Sequence, residues 1–293
     1  MKRLILLFAL FAACCADAAI SVQDDTGTTV TLTQPARRIV SLAPHATELL
    51  FAAGAGDSIV GTVSCSDYPA AAKSIPRVGD NRQVDIERLI ATKPDLLVVW
   101  RHNASLRQTE QLRALGIPMF YSEPHKLDDI PETLQKLGRL AGTEERAQRS
   151  VDELRRTLFD LRARFARRPA VRVFYQVWDK PLYTLNESHI VNAAIRLCGG
   201  ENIYAKLPVP APTVTIESVL QEDPEAIVSG DRKDGPSGLE HWKKYARMTA
   251  VRRNNLISID GDLLNRPGPR IVNGAAVLCE RLEQVRARRG EKP

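Results

Sequence analysis

Residues 143–168 read TEERAQRSVDELRRTLFDLRARFARR, twenty-six positions without a glycine or a proline. Ala147, Val151, Leu154, Leu158, Leu161 and Phe165 recur at spacings of four, three, four, three and four, which is one apolar stripe along an α-helix. At about 1.5 Å per residue such a helix runs roughly 39 Å, enough to cross from one domain to another. A coiled-coil dimer would need the same stripe. Here three heptads stand between strand-and-helix patterns on both sides, so the spacing predicts a helix packed within its own chain.

Outward from that helix the pattern alternates. Before it, 20–32 alternates around Asp25-Thr26-Gly27 as a hairpin would; 38–42, 59–63, 96–100 and 117–121 read as strands. Helices are predicted over 47–53, after a break at Pro44, and over 86–91 and 106–115. After it, 171–177, 226–229 and 256–259 read as strands and 190–197, 216–220 and 272–285 as helices. Strands separated by helices give mainly parallel sheets, with functional loops at the strand ends. The halves also echo each other. Ile86-Glu87, Ile90, Pro94-Asp95 and Val98 match Ile216-Glu217, Leu220, Pro224-Glu225 and Val228 at a constant offset of 130, and Ala53-Gly54 matches Cys198-Gly199. The expected architecture is α/β: two Rossmann-like lobes with mainly parallel sheets, over 37–142 and 169–287, bridged by one long α-helix over 143–168. A hairpin over 19–36 precedes them and a tail over 288–293 follows. A cleft between such lobes is where a small ligand binds.

The first eighteen residues read as an address. Lys2 and Arg3, an apolar run over 4–13 and Ala16-Asp17-Ala18 make a cleaved secretory signal peptide. The run is too short to span a bilayer. Cys14 and Cys15 leave with the peptide; a lipid-anchored alternative would rest on Phe11-Ala12-Ala13 before Cys14 as a poor lipobox. Cleavage leaves 39 basic and 34 acidic side chains, net +5. At 44% hydrophobic and 26% charged, the 293-residue chain is globular, which excludes disorder, collagen and a multi-span membrane protein. Arg162, Arg164, Arg167 and Arg168, and Arg286, Arg288 and Arg289, read as solvated helix faces rather than a nucleic-acid surface.

Export favours disulfides over catalytic thiols. Cys198, at a helix end, and Cys279, in the last helix of the same half, are expected to pair. Cys65 is then either a buried small apolar residue or a pocket residue. No G-x-S-x-G, H-E-x-x-H, P-loop or G-x-G-x-x-G occurs, which argues against an enzyme, and no cofactor is expected. His45 and Glu48 are three apart and could share a metal; the alternative is a loop histidine near the cleft and a favourable charge in the first helical turn. A secreted metal-dependent hydrolase would be built on these two and His102. The loops after strands are more specific: Ser64-Cys65-Ser66-Asp67-Tyr68-Pro69, Trp100-Arg101-His102-Asn103, Gln176-Val177-Trp178, and 260–270. Each places aromatic or charged side chains where an apolar ligand with polar edges would be clamped.

Arg38 to Leu50 (RIVSLAPHATELL), Ser66-Asp67-Tyr68-Pro69, Glu87 to Trp100 and Arg266-Pro267-Gly268-Pro269-Arg270 resemble the Fe/B12 periplasmic-binding domain of ABC importers, over nearly the whole mature chain. The resemblance implies a periplasmic receptor with two lobes on one helix, limited hinge motion, and a cleft for a corrinoid such as cobalamin or for an iron-siderophore or haem. It implies that Glu87 and Glu217, one per lobe, dock into the inner-membrane permease; the receptor is expected to be a monomer without a nucleic-acid partner. Cys198 and Cys279 match the disulfide of the cobalamin-binding branch. The ligand-contacting positions it implies are His45, Cys65, Tyr68, Asn81, Trp100, Arg101, Trp178, Asp262, Leu263, Leu264, Asn265 and Arg266. Among these, Cys65 and Asn81 stand where the cobalamin branch carries aromatics, as does Ala211; Leu263 and Leu264 replace aromatics in the 262–266 loop. Tyr68, Arg101, Arg266 and Arg270 are the groups a siderophore or haem would use.

Overall fold

The computed structural model describes residues 19–80, 83–100, 106–231 and 238–290. Strands β1 (Ile20–Gln23) and β2 (Thr29–Leu32) form an antiparallel hairpin with Ile20 opposite Leu32, turned at Gly27 with φ +82°. Alternation puts Val22, Val30 and Leu32 inward, where they are buried.

The first lobe is a four-stranded parallel sheet of β3 (Ile39–Ser41), β4 (Ile59–Thr62), β5 (Leu96–Val99) and β6 (Met119–Tyr121), in the order β4-β3-β5-β6. Central β5 is apolar and buried at all four positions, as a strand covered on both faces must be. Helices α1 (Pro44–Ala52), α2 (Ile86–Ala91), α3 (Leu106–Ala114) and α4 (Asp129–Ala141) belong to this lobe. The bridging helix α5 spans Glu144–Phe165. Its stripe is buried at Ala147, Val151, Leu158, Leu161 and Phe165 and half-buried at Leu154, and it touches α1 and α4 on one side and α6 (Ile190–Leu197) and α10 (Ile271–Ala287) on the other.

The second lobe repeats the first. Strands β7 (Val171–Gln176), β10 (Gly200–Asn202), β11 (Ala226–Asp231) and β12 (Leu256–Asp260) run parallel in the order β10-β7-β11-β12. A small antiparallel pair, β8 (Trp178–Asp179) and β9 (Leu182–Tyr183), follows β7; α7 (Ile216–Glu222), α8 (Thr249–Arg252) and α9 (Gly261–Leu264) complete the lobe. The 130-residue echo is topological: α2 and α7 start at Ile86 and Ile216, and each precedes the strand third in its sheet.

The chain departs from its pattern in three places. Pro44 opens α1 instead of breaking it, because proline fits the first helical turn, where its missing N–H costs nothing. Helix α4 carries no sequence expectation of its own; it packs along α5 through Gly138, where a Cβ would collide with that of Ala147. The segment after β12 winds into α9, capped by the Asp260 carboxylate on the Asp262 N–H, rather than remaining a loop.

Candidate functional site

Strand direction sends the loops after β3, β4, β5 and β6 toward those after β7, β11 and β12, and side chains from the two sets meet. Arg270, just before α10, forks onto the Glu48 carboxylate of α1, Nε to Oε2 at 2.9 Å and Nη2 to Oε1 at 2.7 Å. Arg266 reaches the same carboxylate at 3.3 Å, Asp67 of the β4 loop at 2.8 Å and Asp262 of α9 at 2.8 Å. The Arg270 guanidinium lies over the Tyr68 ring, 4.1 Å from its centroid. Gly268 passes so close to Glu48 and His45 that a Cβ there would lie 3.3 Å from Glu48 Oε2, tighter than ordinary contact. The Glu48 side chain is 2% exposed, so the bidentate fork satisfies a charge that burial would otherwise penalise. Burial would raise the Asp67 carboxyl; the Arg266 hydrogen bond and charge, with the Arg270 charge, hold it below the usual carboxylate range. Burial likewise opposes ionisation of Arg266 and Arg270, and their carboxylate partners hold both above the ordinary arginine value.

His45, the second residue of α1, is 1% exposed and meets Trp100 edge-on with ring centroids 5.3 Å apart. Burial lowers its pKa from 6.5 to about 4, against the raising effect of a hydrogen bond with the Ser122 backbone and with a further lowering by Arg266. The ring is therefore neutral in ordinary buffer, and its Nε2 finds no hydrogen-bond partner among the described residues. Trp100 directly follows β5, half-buried, and its indole N–H donates to Glu123 Oε1 at 3.0 Å.

Of the expected ligand contacts, Tyr68 is 46% and Trp178 58% exposed, and Asp262, Leu263 and Arg266 are half-buried. Trp178 lies on β8, its indole N–H on the Lys180 carbonyl. Cys65 is exposed rather than a core residue, in the left-handed region at φ +66°. Leu264 is a correction: α9 turns it inward, it is fully buried, and it belongs to the core beside Gly274. Asn265 is a structural tie as well, accepting from the Tyr175 hydroxyl at 2.5 Å and donating to the Gly230 carbonyl. Asn81, Arg101 and His102 lie outside the described residues. Glu48 is not a first-turn charge: it lies past the first turn of α1 and serves the opposite lobe. Among the described residues no group of three or more His, Cys, Asp or Glu side chains could hold a metal.

Glu87 and Glu217 are both exposed, each the second residue of its helix, and neither has an ion-pair or hydrogen-bond partner among the described residues. Asp85 and Thr215 already cap those helices, so neither glutamate is needed as a cap. Cys198 and Cys279 are disulfide-bonded, joining the end of α6 to α10 with Cα atoms 4.6 Å apart. Sequence reasoning passed over Glu123; its only signal was a position just after a predicted strand.

A family profile described as periplasmic binding protein matches residues 39–263. The vitamin B12-binding protein of Vibrio parahaemolyticus serotype O3:K6 is 33% identical over 257 residues, 87% of this chain and 93% of the relative. The vitamin B12-binding protein of Yersinia pestis (strain Pestoides F) is 36% identical over 253 residues, 86% and 88% of the two chains. Among solved structures, the periplasmic vitamin B12 binding protein BtuF of Vibrio cholerae superposes with a TM-score of 0.81 at 35% identity, covering 86% of this chain and 98% of that one. A periplasmic heme binding protein from Pseudomonas aeruginosa superposes with a TM-score of 0.72 at 26% identity, covering 83% and 91%.

Proposed function

Because the chain belongs to the periplasmic binding protein family, we propose that it captures cobalamin or a related corrinoid between its lobes and delivers it to an ABC importer permease. Export by cleavage after residue 18, action as a monomer, and independence of any resident cofactor or nucleic acid are parts of the same reading. It binds; it does not catalyse.

The carrying observation is the charge of the cleft floor. Three carboxylates, Glu48, Asp67 and Asp262, meet two guanidiniums, Arg266 and Arg270, and every one of these groups is paired. Such a floor offers no surplus positive charge to an anionic chelate. It suits a broad ligand that is neutral overall and edged with amides, as cyanocobalamin is. Trp100, Trp178 and Leu263 supply apolar contact, and the likeness to vitamin B12-binding relatives spans both lobes and hence both walls of the cleft. One specific observation favours a ferric siderophore or haem instead: Tyr68 stacked on Arg270 puts a phenol beside a guanidinium at the rim.

Isothermal titration of the mature protein separates the two. With cyanocobalamin, saturable one-to-one heat is expected at tens of micromolar protein; with a ferric hydroxamate or hemin, none. Heat with the iron ligand alone would replace the corrinoid reading with the second one.

A further inference from the structure

Trp100 is held by a chain of contacts that begins at the amino-terminal hairpin. The hairpin turn clamps residues 121–123: the Asp25 N–H donates to the Tyr121 carbonyl at 3.1 Å, and the Tyr121 N–H donates to Asp24 Oδ2 at 3.2 Å. The next link is the Glu123 N–H, which donates to Asp25 Oδ2 at 2.9 Å. The Asp25 side chain is only 7% exposed, and its other partners are the Thr133 hydroxyl at 3.0 Å and Lys136 Nζ at 3.0 Å, both on α4. Ser122 meanwhile pairs with the Val99 carbonyl, which keeps this strand end beside the residue preceding Trp100. Glu123 Oε1 then accepts the Trp100 indole N–H, and the ring's far constraint is the edge-on His45 imidazole. A half-buried indole needs a partner for its N–H, and here that partner is fixed before any ligand arrives.

We infer that Glu123 is a positioning residue for ligand capture: anchored by the Asp25 carboxylate of the hairpin, it sets the orientation of the Trp100 ring in the cleft. The inference rests on the reading that Trp100 contacts the ligand. A ring held ready loses little freedom on binding; a free one must be ordered at that moment, which weakens affinity roughly three- to ten-fold. The hairpin thereby acquires a role in binding although it lies outside both sheets.

The test uses the mature protein, with Glu123→Ala and Glu123→Gln made in the wild type and in Trp100→Phe. Cyanocobalamin titration reads affinity, and the indole N–H resonances of the three tryptophans read ring environment without ligand. Glu123→Ala should weaken binding roughly three- to ten-fold and shift and broaden the Trp100 indole resonance alone. Glu123→Gln, which keeps a carbonyl acceptor, should restore most of both, and in Trp100→Phe neither substitution should weaken binding further. An equal loss from Glu123→Ala in the Trp100→Phe background would show a general structural role and overturn the inference. So would an unmoved Trp100 resonance in folded Glu123→Ala, or in Glu123→Gln a loss as large as that from alanine. If the wild type fails to bind cyanocobalamin, the ligand reading falls by itself while the resonance arm still decides whether Glu123 holds the ring.

Discussion

Glu48 illustrates what spacing conceals. Its distance from His45 along the chain fits a shared metal or a helix-start charge, yet its partner is Arg270, 222 residues away. No local pattern encodes that pairing. Leu263 and Leu264 make a similar point, since read as a loop both face a ligand, whereas one turn of helix buries the second against Gly274. His45 was legible as a residue near the cleft but not as a fully buried one. Its lowered pKa has a signed consequence. Between pH 6.5 and about 4 the unfolded chain binds a proton at His45 that the folded chain refuses, so stability is whole above pH 6.5 and falls as pH drops through that window. Asp67, with its lowered carboxyl pKa, contributes its own loss only at lower pH, below the ordinary carboxylate value. In urea melts at pH 7 and pH 4.5 the wild type should lose about 2 kcal/mol more on acidification than His45→Gln. Equal losses in the two proteins would place the acid sensitivity at other groups.

At the level of elements, legibility followed periodicity. The stripe of α5 and the echoes at Ile86 and Ile216 were readable because burial of one helix face, and reuse of one βα unit, leave repeating marks. Helix α4 was missed although its inward face is apolar, since Pro131 and Gly138 interrupt the pattern; the proline sits in the first turn and the glycine is the contact point with α5. The short strand β10 has no apolar run at all, being Gly-Glu-Asn, and exists only because β7 lies beside it. The disulfide was legible from the compartment, and it ties the end of α6 to α10 across a sequence separation of 81. Opening a loop of that length should cost about 4 kcal/mol, chiefly through the freedom returned to the unfolded chain. Cys198→Ala with Cys279→Ala should therefore melt at clearly lower denaturant while binding ligand with unchanged stoichiometry in native buffer. An unchanged midpoint would mean that the packing of α6 on α10 holds without the bond.

For the whole molecule, the consequence of duplication is a pair of acids held at a set separation. Glu87 and Glu217 occupy equivalent positions on the two lobes, and α5 together with the Glu48–Arg270 and Asp67–Arg266 pairs fixes how the lobes face each other. Two exposed carboxylates, neither with a partner among the described residues, suit a two-point contact with a basic partner, in which the second contact forms at high effective concentration once the first is made. Exposed interface charges act mainly on association rate and salt dependence. A single reversal, Glu87→Lys or Glu217→Lys, should then slow docking to the purified permease in nanodiscs by roughly ten-fold at low salt, an effect that shrinks as salt rises. The double reversal replaces attraction by repulsion at both points and should abolish docking and uptake. Both acids lie outside the ion cluster, so the affinity for cyanocobalamin measured without the permease should match the wild type in every variant. A double variant that docks normally but binds ligand poorly would make these acids part of the lobe structure instead of the contact with the membrane.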